Sequence, residues 1–586
     1  MGKAAAGVTR RGFLEGAMAS GIAMTLGSMA AAKEAHAEEA PSGNEEYSFQ
    51  KEPDPISESD IAETVDCDIV VVGAGVAGMA GIMYSACEGA NVHVLEKSSH
   101  EGVHRLSVAG INGRMMVEAA GGTRVDPEQY SKDFLRYSAG FQSKINVVSR
   151  YAKDSGAWVD WLLDKIGEYG WSLIPFPGAT TADTSGFWTE YPGAYWFVDD
   201  KGNCIPKGSS PNWMKLFRQI AEDNGATFHF DEPGIRLERE SGEGGRVTGV
   251  ISKNKVDGKY RRYNAKKGVL LAAGDFYNEK EMVHKYAPHL EKCISSICEP
   301  NNTGDMHKAG LWVGAAMDDY SAGDLFAFEN AQCNNWVAPE PGEDGYTPLL
   351  DSTRGCMWAP AVAGWPVLWV DSAGRRFVNE DQNMFQLAGA QAVLGTADGL
   401  AWSIWDSEWE TKFPEGWQDM PVGALLLLMS LTTPDEIERE VKAGLIKKFN
   451  TIEELAEGCG MDADVFKETI DRYNYLCEKG EDIDCYKDKK WLMTIDKPPY
   501  YAAQWGVMVT STRCGLKTDE HGRVMDTHGH TIPGLYAAGN NGGNFYGLTY
   551  PATMGGTGIG HGQFYSYTAA RDMLGEDVIY TEKQGE

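Results

Sequence analysis

The sequence predicts an α/β fold with a Rossmann-like nucleotide-binding unit, and three observations predict it. Cys67-Asp68-Ile69-Val70-Val71-Val72 is a largely apolar run that suits a buried parallel strand. It stops at Gly73-Ala74-Gly75-Val76-Ala77-Gly78, a G-x-G-x-x-G turn opening a helix of small and apolar residues, Val76 to Glu88. A second strand, Asn91 to Leu95, then ends at Glu96, 23 residues after Gly73. Each part has a task in holding a dinucleotide. Glycines permit the tight turn and close approach of the pyrophosphate, the helix amino end favours its charge, and the acid accepts ribose hydroxyls. These residues alone leave FAD and NAD both open.

The remaining elements follow in order. Arg246 to Ser252 and Tyr260 to Asn264 read as strands of a meander, and Gly268 to Ala273 as another buried strand. Glu453 to Glu457 and Asp462 to Lys479 have helical composition with capping acids in front. Leu535 to Ala538 is a short strand before a second Gly-dense stretch, Gly539 to Gly562, which leads into a helix through Ala569. The Pro- and Trp-rich middle reads as a second domain inserted into the first.

Composition narrows the function. Gly makes up 69 of 586 residues without a Gly-X-Y period, so Gly-rich turns that let backbone approach a ligand are the leading explanation. A net charge of −31 argues against binding nucleic acid. Eleven cysteines include neither Cys-x-x-Cys nor Cys-x-x-Cys-His, so no disulfide framework and no covalently held haem are expected. Arg10-Arg11 before a weakly apolar run, with Ala35-His36-Ala37 for cleavage, reads residues 1–37 as a twin-arginine (Tat) export signal. The acidic stretch 38–63 reads as a flexible leader.

Several segments together carry a resemblance: Ile69 to Lys97, Val108 to Asn112, Leu270 to Phe276, Thr303-Gly304-Asp305, Gly374 to Glu380, and Ile532 to Gly539. The chain resembles the flavoprotein subunits of fumarate reductases and succinate dehydrogenases, with the related urocanate reductases and 3-ketosteroid dehydrogenases. The resemblance implies FAD, held by a Rossmann-like FAD-binding domain (64–325 and 501–575) interrupted by an α+β capping domain (326–500), with substrate between cap and flavin. It adds Lys97, Gly102, Gly110, Ile111, Gly274, Asp305, Gly539 and Asn540 to the turn residues and Glu96 as cofactor contacts. It also places Gly556, Thr557, Gly558 and Ile559 against the isoalloxazine. His104 falls one residue from where some members attach FAD, so non-covalent FAD is expected.

The chain departs from the fumarate-reducing pattern at every substrate position. The proton relay falls on Pro360, Ala363 and Met384, the clamp histidine on Thr510 or Ser511, and the clamp arginine on Thr553. Glu101-Gly102-Val103 replaces the usual Gly-Gly-Asn. Tyr550, Tyr546 and Arg513 lie on segments that the family aims at the flavin or the cap, and they are the catalytic candidates. Tyrosine can donate a proton or polarise a carbonyl. The plainer readings are core packing for Tyr550 and a surface charge for Arg513. No metal site is expected: His528-Gly529-His530 beside Asp526 reads as a solvated hairpin, and the cysteine pairs lack zinc or cluster spacing.

The expectation is an exported, periplasmic FAD-dependent reductase of anaerobic respiration that saturates an activated C=C bond in a substrate less acidic and more aromatic than fumarate. A separate quinol-linked cytochrome or flavoprotein supplies its electrons. The alternatives are a ketosteroid-type dehydrogenase forming C=C and a non-catalytic FAD-binding protein.

Overall fold

The computed structural model describes residues 47–577 apart from 103–106, 139–141, 177–188, 190, 205–210, 243, 297, 299–300, 331–365, 382–391, 416–433 and 552–553. The export signal, His104, Pro360, Ala363, Met384 and Thr553 lie outside the described residues. Two units are distinguished, Met1–Lys51 and Glu52–Glu586. In the first, Ser48–Gln50 forms a single 3-10 turn. The rest of the description concerns the second.

Strand β1 (Ile61–Val72) starts inside the expected leader, because two arginines anchor the preceding residues. Arg262 Nη2 meets Glu58 Oε1 at 2.6 Å, and Arg236 pairs with Glu52. After the glycine turn come α1 (Val76–Cys87) and β2 (Val92–Leu95), which pairs in parallel with β1. A small antiparallel sheet then forms from β3 (Val108–Ala109), β4 (Ser172–Phe176) and β5 (Ala194–Val198), with the long helix α2 (Ile145–Gly167) between β3 and β4 in the chain. β6 (Thr227–His229) extends the main sheet beyond β2. The expected meander strands are β8 (Val247–Lys253) and β9 (Tyr260–Leu271), preceded by β7 (Gly234–Arg239), which the sequence reading did not include. β9 is one strand rather than the two expected. Lys266-Lys267, between the two expected strands, is exposed, and the β1–β9 register shifts there, from Cys67 opposite Ala265 to Ile69 opposite Gly268.

Among the described residues the second sheet has six strands: β10 (Ser295–Ser296), β11 (Asp324–Asn330), β12 (Leu368–Val370), β13 (Ala401–Asp406), β14 (Ile446–Phe449) and β15 (Tyr500–Ser511). β15 is its hub, pairing with β10, β11, β13 and β14. The expected cap, 326–500, is therefore narrower than this sheet. Its first border falls within β11, and its last leaves all of β15 but Tyr500 outside. The chain then returns to the main sheet through β16 (Arg523–Met525) and β17 (Thr531–Ala537), giving the order β16-β17-β9-β1-β2-β6, and ends in α3 (Thr557–Leu574). His528 and His530 sit in the β16–β17 turn, where both backbone N–H groups donate to Asp526 Oδ1.

The cap core joins Leu368, Trp402, Ile404, Phe466, Ile470 and Tyr473 beneath helices Ile452–Cys459 and Ala463–Lys479. Thr451 and Asp462 cap these helices by accepting backbone N–H bonds from Glu454 and Val465. Beside them lies a buried charge cluster. Arg376 Nη2 bonds Glu380 Oε2 and Asp482 Oδ2, each at 2.7 Å, and Lys487 Nζ donates to Tyr473 Oη at 2.9 Å. The Arg376→Met variant removes the guanidinium shared by two buried carboxylates, leaving Glu380 with Lys487 at 3.5 Å and Asp482 with backbone N–H donors, and should lower unfolding free energy by about 3 kcal/mol in urea titrations. Burial opposes ionisation of Asp482, but its bonds to Arg376 and to backbone N–H groups prevail and hold it down at about 2. Its contribution is therefore complete above the usual carboxyl range near pH 4 and is lost as pH falls toward 2, which acid unfolding of wild type against Asp482→Asn measures.

Candidate active site

The nucleotide end is built at the carboxyl edge of β1. Gly73 has φ 107°, and a Cβ there would lie 2.4 Å from the Ala272 carbonyl oxygen. A Cβ on Gly78 would meet the Gly73 carbonyl oxygen at 2.0 Å, so this residue lets α1 close on the turn. Gly75 caps α1, and nothing lies within 4 Å of the position its Cβ would take. Ala74, Val76 and Ala77 complete the turn and the start of α1. Glu96 Oε2 accepts from Ala74 N and Oε1 from Ser98 N, both at 2.8 Å, which leaves lone pairs on each oxygen. Open space at a helix amino end beside a carboxylate fits a pyrophosphate and ribose. Lys97 Nζ bonds Asp305 Oδ2 at 2.9 Å and Thr303 Oγ1 at 3.1 Å, and Gly102 N donates to Ala74 O.

Other expected contacts have packing reasons of their own. A Cβ on Gly110 would lie 2.4 Å from the Ser155 carbonyl oxygen of α2, and Ile111 N donates to Ser155 Oγ at 2.8 Å. Gly274 (φ 83°) backs onto Asn302, and Gly539 (φ 64°) onto Ala77. Thr557 Oγ1 donates to Met554 O at 2.7 Å, fixing the first turn of α3, which Gly556 enters with φ 73°. Gly558 and Ile559 follow in that turn.

Arg513, Tyr546 and Tyr550 come together, all buried, so the surface-charge reading of Arg513 fails. Arg513 Nη2 bonds Asp324 Oδ2 at 2.5 Å, and Nη1 donates to Asn540 Oδ1 at 2.7 Å. Its guanidinium carbon lies 5.6 Å from the Tyr546 ring centre and 5.2 Å from that of Tyr550. Tyr550 Oη accepts from Gly558 N at 3.0 Å, which links it to the amino end of α3. Burial pushes both tyrosine hydroxyls up, so both keep their protons at neutral pH. His561 beside them is lowered to about 3, first by burial and then by the Arg513 charge.

Four residues escaped the sequence reading. Asp324 compensates Arg513. His307 donates from Nε2 to Asn540 O at 2.9 Å, and burial lowers it to about 4, so it is neutral. Asn541 donates to His307 Nδ1 at 3.0 Å and accepts from Ala273 N at 2.5 Å. Asp318 accepts from Asn544 N at 3.1 Å, and burial raises it to about 7. None of the four sits in a motif.

A family model described as an FAD binding domain matches residues 68–559. The chain belongs to this FAD-binding-domain family. Its cofactor is FAD, and it is an oxidoreductase. It is 28% identical to the vinyl phenol reductase of Lactiplantibacillus plantarum over 522 residues, covering 88% of this chain and 97% of that one. It is 26% identical to the 4-oxocyclohex-2-ene-1-carboxylate 5-dehydrogenase of Sinomonas cyclohexanicum, covering 87% and 94%. Among solved structures, the 3-ketosteroid Δ1-dehydrogenase of Sterolibacterium denitrificans shares the fold with a TM-score of 0.64 at 21% identity, over 87% of this chain and 99% of that one.

The glycines make separable predictions. The Gly75→Ala variant should fold with an unchanged Tm when free of FAD yet bind FAD at least about tenfold more weakly, because only the ligand contests that space. The Gly78→Ala variant should lower the Tm of the FAD-free protein as well. Calorimetric FAD titration and thermal unfolding check both.

Proposed function

We propose that the protein reduces an activated C=C bond of a small aromatic acceptor. The observation that carries this reading is the compensated Arg513. Its charge is paired with Asp324 and its faces lie against Tyr546 and Tyr550, an arrangement suited to an aromatic substrate rather than a dicarboxylate. Similarity to a vinyl phenol reductase supports the same substrate class.

FAD, when bound and reduced, supplies the hydride. Tyr550 holds the proton: its oxygen is fixed by the Gly558 N–H while its own O–H is free to turn toward the substrate. Tyr546 and Arg513 wall the site and keep water out. Export through the Tat route, electron delivery by a separate quinol-linked cytochrome or flavoprotein, and a role in anaerobic respiration complete the proposal. They rest on the twin arginine and on the lack of a haem-attachment motif. The similarity to a dehydrogenase favours a second reading, in which the same site runs in the oxidative direction.

Anaerobic oxidation of reduced viologen against vinylphenols, hydroxycinnamates, enoates and unsaturated steroids tests the proposal. Aromatic alkenes should turn over and fumarate should not. The Tyr550→Phe variant should retain FAD and lose at least about a hundredfold in kcat; an unchanged rate would remove Tyr550 as the proton donor. Turnover only with an oxidising dye and a cyclic ketone would establish the dehydrogenase direction.

A further inference from the structure

Asp324 opens β11 and stands opposite Ser511 of β15 in the antiparallel register, so the two side chains are cross-strand neighbours. One carboxylate oxygen, Oδ2, is occupied by Arg513. The other, Oδ1, is buried with no hydrogen-bond partner among the described residues, and so are Ser511 Oγ and Arg513 Nε. Two of these atoms lie on one strand pair and the third just past the end of β15, whereas buried polar groups are ordinarily paired. Arg513 brings this end of the strand pair beside Tyr546, Tyr550 and the first turn of α3.

An ionised carboxylate can only accept hydrogen bonds, whereas a serine hydroxyl can donate as well as accept. A single hydroxyl placed between them satisfies both, donating to Asp324 Oδ1 and accepting from Ser511. A carboxylate placed there meets a carboxylate, and the Arg513 charge that would offset the repulsion is already paired.

We propose that Asp324, with Ser511, anchors a neutral phenolic hydroxyl of the substrate and excludes analogues that carry a carboxylate in its place. Asp324 is then the specificity-determining residue of this site. The proposal rests on the reading of this cluster as the substrate site and deepens it.

The test is binding rather than turnover. FAD-loaded protein is titrated with 4-ethylphenol and with 4-ethylbenzoate at neutral pH, read by perturbation of the flavin absorbance and by calorimetry. Wild type should bind the phenol at least about tenfold more tightly. Asp324→Asn frees the Arg513 charge and should shift the ratio at least about tenfold toward the benzoate. Since that variant strands a buried guanidinium, Asp324→Asn with Arg513→Gln removes both charges together and should also lose the preference without gaining benzoate affinity. Equal affinity in wild type, or a preference that survives both variants with FAD content and Tm retained, overturns the inference. So does an Asp324→Asn variant whose ligand-free flavin spectrum moves while the ratio stays, since the carboxylate then serves the cofactor. Phenol selectivity without viologen-driven reduction would sink the reductase reading and leave this one standing.

Discussion

Gly81 of α1 lies so near α3 that a methyl group there would come 2.6 Å from Ser566 Oγ, and a Cβ on Gly562 would come 3.0 Å from Gly539 Cα. Such distances admit no side chain. They press a helix from the start of the chain against one from its end, and the turn before α3 arrives beside the βαβ unit as a result. The expected FAD contacts come from segments more than 400 positions apart, and this close approach is what assembles them. The cluster around Arg513 follows from it, because Tyr550 and Gly558 are carried in on the same turn.

β15 sets the second relationship. One end, Tyr500 to Ala503, pairs with β13 and β14 under the cap helices, and the other, to Ser511, pairs with β11. Twelve residues of strand reach about 40 Å. Arg513 follows directly, so a single rigid element joins the cap core to the site.

The βαβ unit was legible because its evidence is local. Apolar run, glycine spacing and acid fall within 30 residues, and the structure places them as expected. The two strands expected in place of β9 are one, and the exposed Lys266-Lys267 between them marks a register shift rather than a strand end. His307, Asn541 and Asp324 were invisible for a different reason: each acquires its meaning from a partner almost 190 or more positions away, and no spacing rule reports that. The glycine excess was read as backbone meeting cofactor. At Gly75 that reading fits, but at Gly110, Gly539 and Gly562 the small residue serves helix packing.

Asp324 and Ser511 sit on strands of the cap sheet, whereas the glycine turn and Glu96 belong to the main sheet. On the proposed reading, recognition of the acceptor and retention of the coenzyme fall to different layers of the molecule. Substitutions along β11 and the far end of β15 would then alter what is recognised while leaving the coenzyme's seat intact, a division that would let one scaffold host many acceptors.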